Sequence, residues 1–420
     1  MTASATAAAT APEAEAAGRW SQLAILAAAV LLASAPWFSG SAVASSLTEE
    51  WSLSGFDLAL LTVAVQLGFV AGALTVAISG AADVLPARVL IGIGGAIAAA
   101  ANLGFALLPT DLAGALPWRA LTGFGVAAVY PVALRHLAGW FRAERGFAVG
   151  VLVGAITVGA SLPHLVRAVG ALSGVDWPMV VMSLSVAALL GGLIGLVGVR
   201  EGPLHIGAQR FSVQLALSAF RQPSVRLANF GYLGHMWELY AMWTWVPAFL
   251  AASFLASGSG DPAVAAAAAF AIVAAGGVGC IVAGALADRV GRTTLTIAAM
   301  AASGTCALLI GLLFGGAPVL TVALGLIWGV TVVADSAQFS TAVSELAPPG
   351  TAGSALALQT ASGFLLTGIT ILGIGLLAPV TGAAWQIGFA VLALGPAFGI
   401  YAMWRLRGRP EATKMAGGKR

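Results

Sequence analysis

Charge is what this chain has least of. Only 8% of its 420 residues are Asp, Glu, Lys or Arg, against about 25% in an ordinary soluble domain. With 60% hydrophobic residues and a mean hydropathy of +0.97, a water-soluble enzyme is excluded. Lysine is scarcer still: the two present, Lys414 and Lys419, lie near the C-terminus. No Walker A lysine can therefore cradle a nucleotide, and direct ATP drive within the chain is excluded. The other basic residues are arginines, the formal net charge is +3, and no basic run tracks a phosphate backbone, so nucleic acid is not an expected partner. Cys280 and Cys306 sit inside apolar stretches as small core hydrophobes. The four histidines, His136, His164, His205 and His235, form no HExxH and no Cys/His cluster, so neither metal nor cofactor is expected. A membrane-embedded enzyme would need a nucleophile with a base, or ligands at fixed spacing, and a channel would need a pore-lining repeat or selectivity loop; neither pattern is present.

What is present is apolar length. A helix needs about 20 apolar residues to cross roughly 30 Å of hydrocarbon, and hydropathy predicts twelve such spans. They run over 20–46, 56–80, 87–108, 112–134, 147–170, 178–199, 227–255, 263–287, 293–315, 318–342, 351–379 and 383–404. The fold class is thus an all-α membrane protein. The first 18 residues lack the basic start of a secretory signal, and residues 1–19 are expected to be a disordered cytoplasmic tail. Ala42-Val43-Ala44 mimics a cleavage site, but the run before it is long and many spans follow, so an uncleaved first helix is expected. Residues 200–226, with Arg200, Arg210, Arg221, Arg226 and Pro223, form the long internal loop. It separates a six-helix unit over 20–199 from another over 227–404, followed by a basic tail over 405–420. Lys and Arg mark the cytoplasmic side. Counted by alternation, 17 of the 19 fall with the two termini, while Glu49, Glu50, Asp57, Asp111, Asp176 and Asp261 fall opposite, so both termini are predicted to be cytoplasmic. Arg119 and Arg167 are the exceptions.

A repeat links the halves. Ser79 to Arg88 after the second span and Gly284 to Thr293 after the eighth both hold an acid at a helix end with arginine just beyond, and Asp83 and Asp288 are 205 residues apart. The same offset carries Gly72 to Gly277, as a duplicated six-helix unit requires. Such turns can hold a breakable ion pair between helices. Gly92 to Gly95 and Gly276 to Gly279 could be misread as phosphate loops, but they lie in apolar spans and are expected to pack helices closely.

The segment Gly284-Ala-Leu-Ala-Asp288-Arg289-Val-Gly291-Arg292 resembles the G-x-L-A-D-R-x-G-R signature of the major facilitator superfamily, and Asp83 with Arg88 resembles a degenerate copy. Arg119-Ala-Leu-Thr122-Gly123-Phe-Gly125-Val-Ala-Ala128 is similar to that family's fourth-helix motif, with Thr122 where Gln is usual. Trp140-Phe141 and Arg145-Gly146 resemble a further element before the fifth helix. The resemblance covers essentially the whole chain. It implies two six-helix bundles that rock about a central cavity, with a cytoplasmic gate at Asp83, Arg88, Gly284, Asp288, Arg289, Gly291 and Arg292. It also implies a multi-pass carrier in a bacterial cytoplasmic membrane, expected to be monomeric, whose partners are a small-molecule substrate, protons and the lipid bilayer. Gly150, Gly154, Gly159 and Pro163 only partly resemble the antiporter pattern, in which Gly and Pro are adjacent, which tilts the reading toward uptake.

Ionisable groups at membrane depth cost about 2.5–3.5 kcal/mol even on a lenient insertion scale, so each needs a partner or a task. In the seventh span Glu238 lies about 18 Å from Arg226 along the axis. His235 and Met242 share its face. A carboxylate beside an imidazole there could exchange a proton as the cavity changes its exposure; a structural ion pair is the other reading. Tyr240, Trp243 and Trp245 add aromatic surface. Arg119 is expected in the outer half of the fourth span, holding an anionic substrate or acting as electrostatic counterweight to Glu238. His164 and Arg167 share a face near the outer mouth, where snorkelling is the competing reading. Asp335 is either a cavity group or a structural pair, and Gln66, Gln359, Trp37 and Phe38 are candidate wall residues. The resulting reading is a proton-coupled carrier of a small organic solute. A drug or metabolite exporter of the same fold is the alternative, and an apolar cation would suit the aromatic seventh span. Nitrate-type transport fits less well, because the family members that perform it place Arg in the second and eighth helices.

Overall fold

A segment surrounded by lipid must satisfy every backbone N–H and C=O internally. The computed structural model of this chain does so with helices alone among the described residues, which are 17–141, 144–204, 211–377 and 381–420. The first sixteen residues, where a disordered tail is predicted, and Arg142, His205, Arg210 and Pro379 lie outside them. Among the described residues eleven helices are long and apolar enough to cross a membrane, and the shorter apolar helix Arg19–Ala33 begins the first span. Spans two to six are Gly55–Ser79, Ala87–Leu107, Leu112–Leu137, Arg145–Leu172 and Trp177–Gly198. Spans seven to twelve are Pro223–Ala256, Pro262–Val290, Arg292–Leu313, Pro318–Leu346, Ala352–Leu377 and Gly382–Arg407. The fold is a twelve-span all-α membrane protein.

Four spans depart from the predicted continuous helix; the fourth divides into Leu112–Ala127 and Tyr130–Leu137, and the twelfth into Gly382–Leu392 and Leu394–Arg407. The first breaks after Ala33 and resumes as Ser39–Ala42 and Ala44–Trp51, because Pro36 has no N–H to donate and its ring collides with the preceding turn. The tenth breaks at Asp335, between Pro318–Ala334 and Ser336–Leu346. Elsewhere local signals set the ends. Ser54 and Asp57 form a capping box at the start of the second span, and Asp111 and Asp261 cap the fourth and eighth.

The repeat is visible in the pairing. Span two packs on four, one on five and six, and three on six; six spans later, eight packs on ten, seven on eleven and twelve, and nine on twelve. Small residues allow these approaches, since lipid offers no hydrophobic gain for association and close contact must supply it. A Cβ on Gly329 in span ten would sit 1.8 Å from the carbonyl oxygen of Ile272 in span eight. Gly92 to Gly95 and Gly276 to Gly279 pack in the same way: Gly95 meets Gly192, and Gly276 meets Gly329.

The two halves touch along two crossings. Spans five and eight meet at Gly146 with Gly284, Gly150 with Cys280 and Gly154 with Gly277. Spans two and eleven meet at Gly375 with Gly55 and Gly368 with Val63. The first crossing begins at the end holding the basic links and the C-terminal segment; the second lies toward the acidic end. Both are shut.

Two segments expected to be plain loop and tail are built into the basic end. The central link contains the helix Val213–Arg221, started by Ser212 and set against span eleven through buried Ala216 and Ala219, and span seven begins at Pro223 rather than Leu227. Beyond Arg407 the chain does not hang free: 3-10 turns over Pro410–Gly418 bury Ala412 and Met415 completely. Glu411 accepts a hydrogen bond from Ser224, and Lys419 Nζ donates to the carbonyl of Asp288 at 3.0 Å.

Candidate functional site

At mid-length of the spans, rings from both halves meet. Trp37 and Phe38, on the broken segment of span one, and Phe69 of span two come from the N-terminal half. Tyr240 and Trp243 of span seven and Phe364 of span eleven come from the other. Ring centres lie 5.0 Å apart for Trp37 and Phe69, 4.5 Å for Phe69 and Phe364, 5.8 Å for Trp37 and Tyr240, and 6.0 Å for Phe38 and Trp243. All six are buried. Where an open central cavity is expected, packed rings occupy the centre, closed off by the crossings toward either end.

The polar atoms among these rings are unusual. Gln66 is 1% exposed, yet neither its Oε1 nor its Nε2 has a protein partner, and the indole N–H groups of Trp37 and Trp243 are also unpaired. Each such buried atom costs about 1–3 kcal/mol, and most buried polar groups avoid it. Helix register aims Gln66 into the seam between halves. Thr62, one turn earlier, reaches Ser41 of span one at 3.2 Å, and Val63 meets Gly368 of span eleven. Gln359, equally buried and unpaired at both amide atoms, lies one turn from Gly363, which packs on Tyr232 and Met236 of span seven.

The scarce charges are not among the rings. Arg119 lies in the N-terminal half and spends its guanidinium on the break in span one. Its Nη2 donates to the carbonyl of Trp37 at 2.6 Å, and Nη1 donates to that of Pro36 at 3.2 Å, to Ser39 Oγ at 2.8 Å and to Asn102 Oδ1 at 3.1 Å. It is therefore not paired with Glu238; it donates to the carbonyls of Trp37 and Pro36 at the break, the second of which also accepts from the Ser39 N–H at 3.2 Å. Glu238 points into the C-terminal half, where Trp328 Nε1 donates to Oε1 at 2.7 Å and Ser303 Oγ lies 2.8 Å from Oε2. The expectation that it lines the central hollow is corrected. His235, Glu238 and Met242 share one face of span seven, and that face looks at spans nine and ten, whereas Tyr240 and Trp243 look at the other half. On the same inward face His235 Nδ1 lies 2.9 Å from Asp335 Oδ1 at the break of span ten, both groups fully buried. His235 Nε2 has no partner. Trp245 is likewise turned into its own half, donating to the carbonyl of Ile371 at 3.1 Å.

His164 is buried in span five. Arg167 reaches Ser46 at 3.5 Å and lines an open concavity of about 650 Å³ at the acidic end with Glu49, Glu50 and Trp177. The structure brings neither residue to the rings.

The sequence profile of the Major Facilitator Superfamily matches residues 25–371. The chain belongs to the major facilitator superfamily. No curated protein sequence is significantly similar to it. Among solved structures it is similar to a D-xylose-proton symporter, with a TM-score of 0.74 at 17% identity over 95% of this chain and 99% of that one. It is also similar to a bacterial homolog of the human lysosomal transporter Spinster in an inward-facing, occupied conformation. There the TM-score is 0.65 at 15% identity, over 92% of this chain and 96% of the other. At such identities the likeness concerns the fold. Membership makes this superfamily protein a membrane-spanning transporter of small solutes and not an enzyme.

The gate motifs of this superfamily member divide into engaged and exposed residues. Asp83 pairs with Arg135 at the end of span four. Arg292 is buried and grips Glu345 through Nε and Nη2 at 2.8 and 2.7 Å, Gln338 at 2.8 Å and Asp288 at 3.2 Å. Arg88 and Arg289 are exposed. Both ion pairs lie within their own halves, so the contact across the halves here is the close approach of Gly284 to Gly146, beside which the Asp288 carboxylate sits. Gly291 adopts φ +93°, and a Cβ there would meet the carbonyl oxygen of Arg420 at 2.2 Å, so only glycine suits this turn. In the fourth span Gly123 packs on the Val65 carbonyl and Gly125 on Ala98, so both hold neighbouring helices close. Phe69 and Phe364 are absent from the sequence-level candidates. The signal that could have found them is their position at mid-span, within a turn or two of Gln66 and Gln359.

Proposed function

We propose that this protein is a proton-coupled secondary transporter that takes up a small organic solute by alternating access, with the solute held among Trp37, Phe69, Tyr240, Trp243, Phe364 and Gln66. The observation that carries this reading is the set of buried, unpartnered amide and indole groups at the seam between two halves that are shut toward either end. A site that must bind, release and rebind has to leave polar atoms free for the solute. Opening either crossing while the other stays shut would expose the ring cluster to one side at a time. Gln359, and the crossing of spans two and eleven above the rings, belong to the same route.

Proton coupling rests on Glu238, His235 and Asp335. His235 and Glu238 lie one turn apart on span seven, with Asp335 of span ten against His235, and burying three such titratable groups is costly at membrane depth. The first two share span seven with Tyr240 and Trp243, so a change in their protonation can turn or shift the helix that carries the rings. The likeness of the fold to a D-xylose-proton symporter is in keeping with such coupling. The clustering of basic links with the C-terminal segment supports a bacterial cytoplasmic membrane with both termini inside. In this reading Arg119 positions Trp37, and the gate residues around Asp83 and Arg292 stiffen each half so that it moves as a unit.

Reconstituted protein should show saturable counterflow of its solute without a gradient, and accumulation when a pH gradient is imposed. Glu238→Gln should lose the second and keep the first. Unchanged pH-driven accumulation in that variant would remove Glu238 from the coupling, and flux that neither saturates nor shows counterflow would remove the carrier reading.

A further inference from the structure

Resting on the transporter reading, we infer that the solute of the central site is uncharged and combines carbonyl or hydroxyl oxygens with an apolar face, in the manner of an aryl glycoside or a substituted amide. Three observations converge on this class.

The first is the balance of unpaired atoms. Trp37 Nε1, Trp243 Nε1 and Gln66 Nε2 offer N–H donors, and Gln66 Oε1 offers an acceptor. A solute matching them brings mostly oxygen acceptors and at least one hydroxyl or amide donor. The second is the surface around them. Tyr240 and Trp243 lie 5.2 Å apart and Tyr240 and Phe364 5.0 Å apart, so a flat or C–H-lined face finds aromatic surface on several sides.

The third is the disposition of charge. Arg119 has its two terminal guanidinium nitrogens bound by carbonyls, a hydroxyl and an amide of the N-terminal half, its Nε alone being unpaired, Glu238 is bound by Ser303 and Trp328, and Asp335 lies against His235. Among the described residues no charged side chain stands among the rings, so an ion entering the cluster would lose its water without meeting an opposite charge, a far larger penalty than a neutral molecule incurs. Aromatic faces can hold cations, yet here the faces pack on one another and, apart from Gln66 Oε1, the free atoms are N–H donors, which turn their positive ends toward any guest. Those donors would suit an anion, but neutral donors alone do not offset its desolvation.

The test uses the full-length protein in nanodiscs and two matched sets of probes. One set is phenyl β-glucoside, phenyl β-glucuronide and the 6-amino-6-deoxy glucoside; the other is N-butylbenzamide with its 4-carboxy and 4-aminomethyl derivatives. Thermal shift and calorimetry should show stabilisation by the neutral member of at least one set, and at least tenfold weaker binding of its ionic partners. Gln66→Leu and Trp243→Phe should each weaken the neutral probe about tenfold while the unliganded protein stays folded. Equal or tighter binding of an ionic member, neutral binding indifferent to Gln66→Leu, or silence of both neutral probes overturns the inference. Counterflow separates the two levels. If an ionic probe exchanges saturably, the solute class falls and the carrier stands; if a neutral probe binds through Gln66 but never exchanges, the binding class stands and the carrier falls.

Discussion

Arg119 and Gln66 are both buried polar side chains of the N-terminal half, and their surroundings give them opposite consequences. Arg119 has its terminal nitrogens occupied, so Arg119→Ala would remove the donors it gives to the carbonyls of Trp37 and Pro36, the latter keeping only those from Ser39, and release the segment that carries Trp37. A loss of at least about 2 kcal/mol is expected, read as a lower melting temperature in detergent. Arg119→Lys should recover little of it, because a point charge cannot reproduce the planar fork. Stability equal to the parent in Arg119→Ala would refute the clamp. Gln66 has nothing bound in the closed arrangement. Gln66→Leu should therefore leave the solute-free protein as stable as the parent, or stabilise it by about 1–3 kcal/mol, while weakening transport. A clear loss of stability would show that the amide is spoken for within the protein. Such an exchange of stability for function is common at binding sites.

At the scale of elements, the crossings and the docked C-terminal segment carry the expectations. Gly154 and Gly277 approach so closely that a Cβ on Gly154 lies 3.4 Å from the Cα of Gly277. Gly154→Leu should wedge spans five and eight apart, and a thiol reagent applied from the basic side should then label Cys280 faster than in the parent. Unaltered labelling would mean that this crossing does not shut the path. The terminal segment makes a pH prediction. The carboxyl of Glu411 is held below the ordinary carboxylate range by its own backbone hydrogen bond and by the Ser224 hydroxyl, helped by Arg409 and Lys414. Because the docked form lowers this group's affinity for a proton, its contribution to docking is present above the ordinary carboxylate range. It is lost as pH falls through the lower value of the docked state. Hydrogen exchange over 410–418 should therefore speed up under acidic conditions beyond the intrinsic trend, and Glu411→Gln should show that faster exchange already at neutral pH.

At the scale of the whole molecule, transport requires that the two crossings never open together and never stay shut together. Pairing Val63→Cys with Gly368→Cys should lock the crossing of spans two and eleven under oxidation, since a Cβ on Gly368 would lie 3.6 Å from the Val63 side chain. Counterflow should stop on oxidation and return with reductant. Flux that survives confirmed cross-linking would mean that the halves need not part there.

Much of this molecule was legible in the amino-acid order. Span number, the six-plus-six repeat and the superfamily follow from apolar length and from two copies of one turn motif, because lipid forces any long apolar stretch to become a helix. The break in span one is written in Pro36, but a long hydropathy window averages over it. The docking of the C-terminal segment had no local signature, since its basic residues read equally well as solvated.

The proposed site is legible in its residue types and not in their directions. Trp37, Gln66, Tyr240 and Gln359 stand out in the amino-acid order as candidates, and Glu238 as the rare charge. Span seven, however, is apolar on nearly every side, so no stripe of polar residues distinguishes the face that meets the other half from the face that meets spans nine and ten. Two residues of helical rotation separate Glu238 from Tyr240, and that rotation decides which faces the other half. Sequence alone determined that twelve helices form and that a few polar groups must be buried among them, since backbone satisfaction and hydrocarbon thickness are local requirements. Tertiary packing decided which of those groups are left without partners, because facing depends on glycine contacts between helices far apart in the chain.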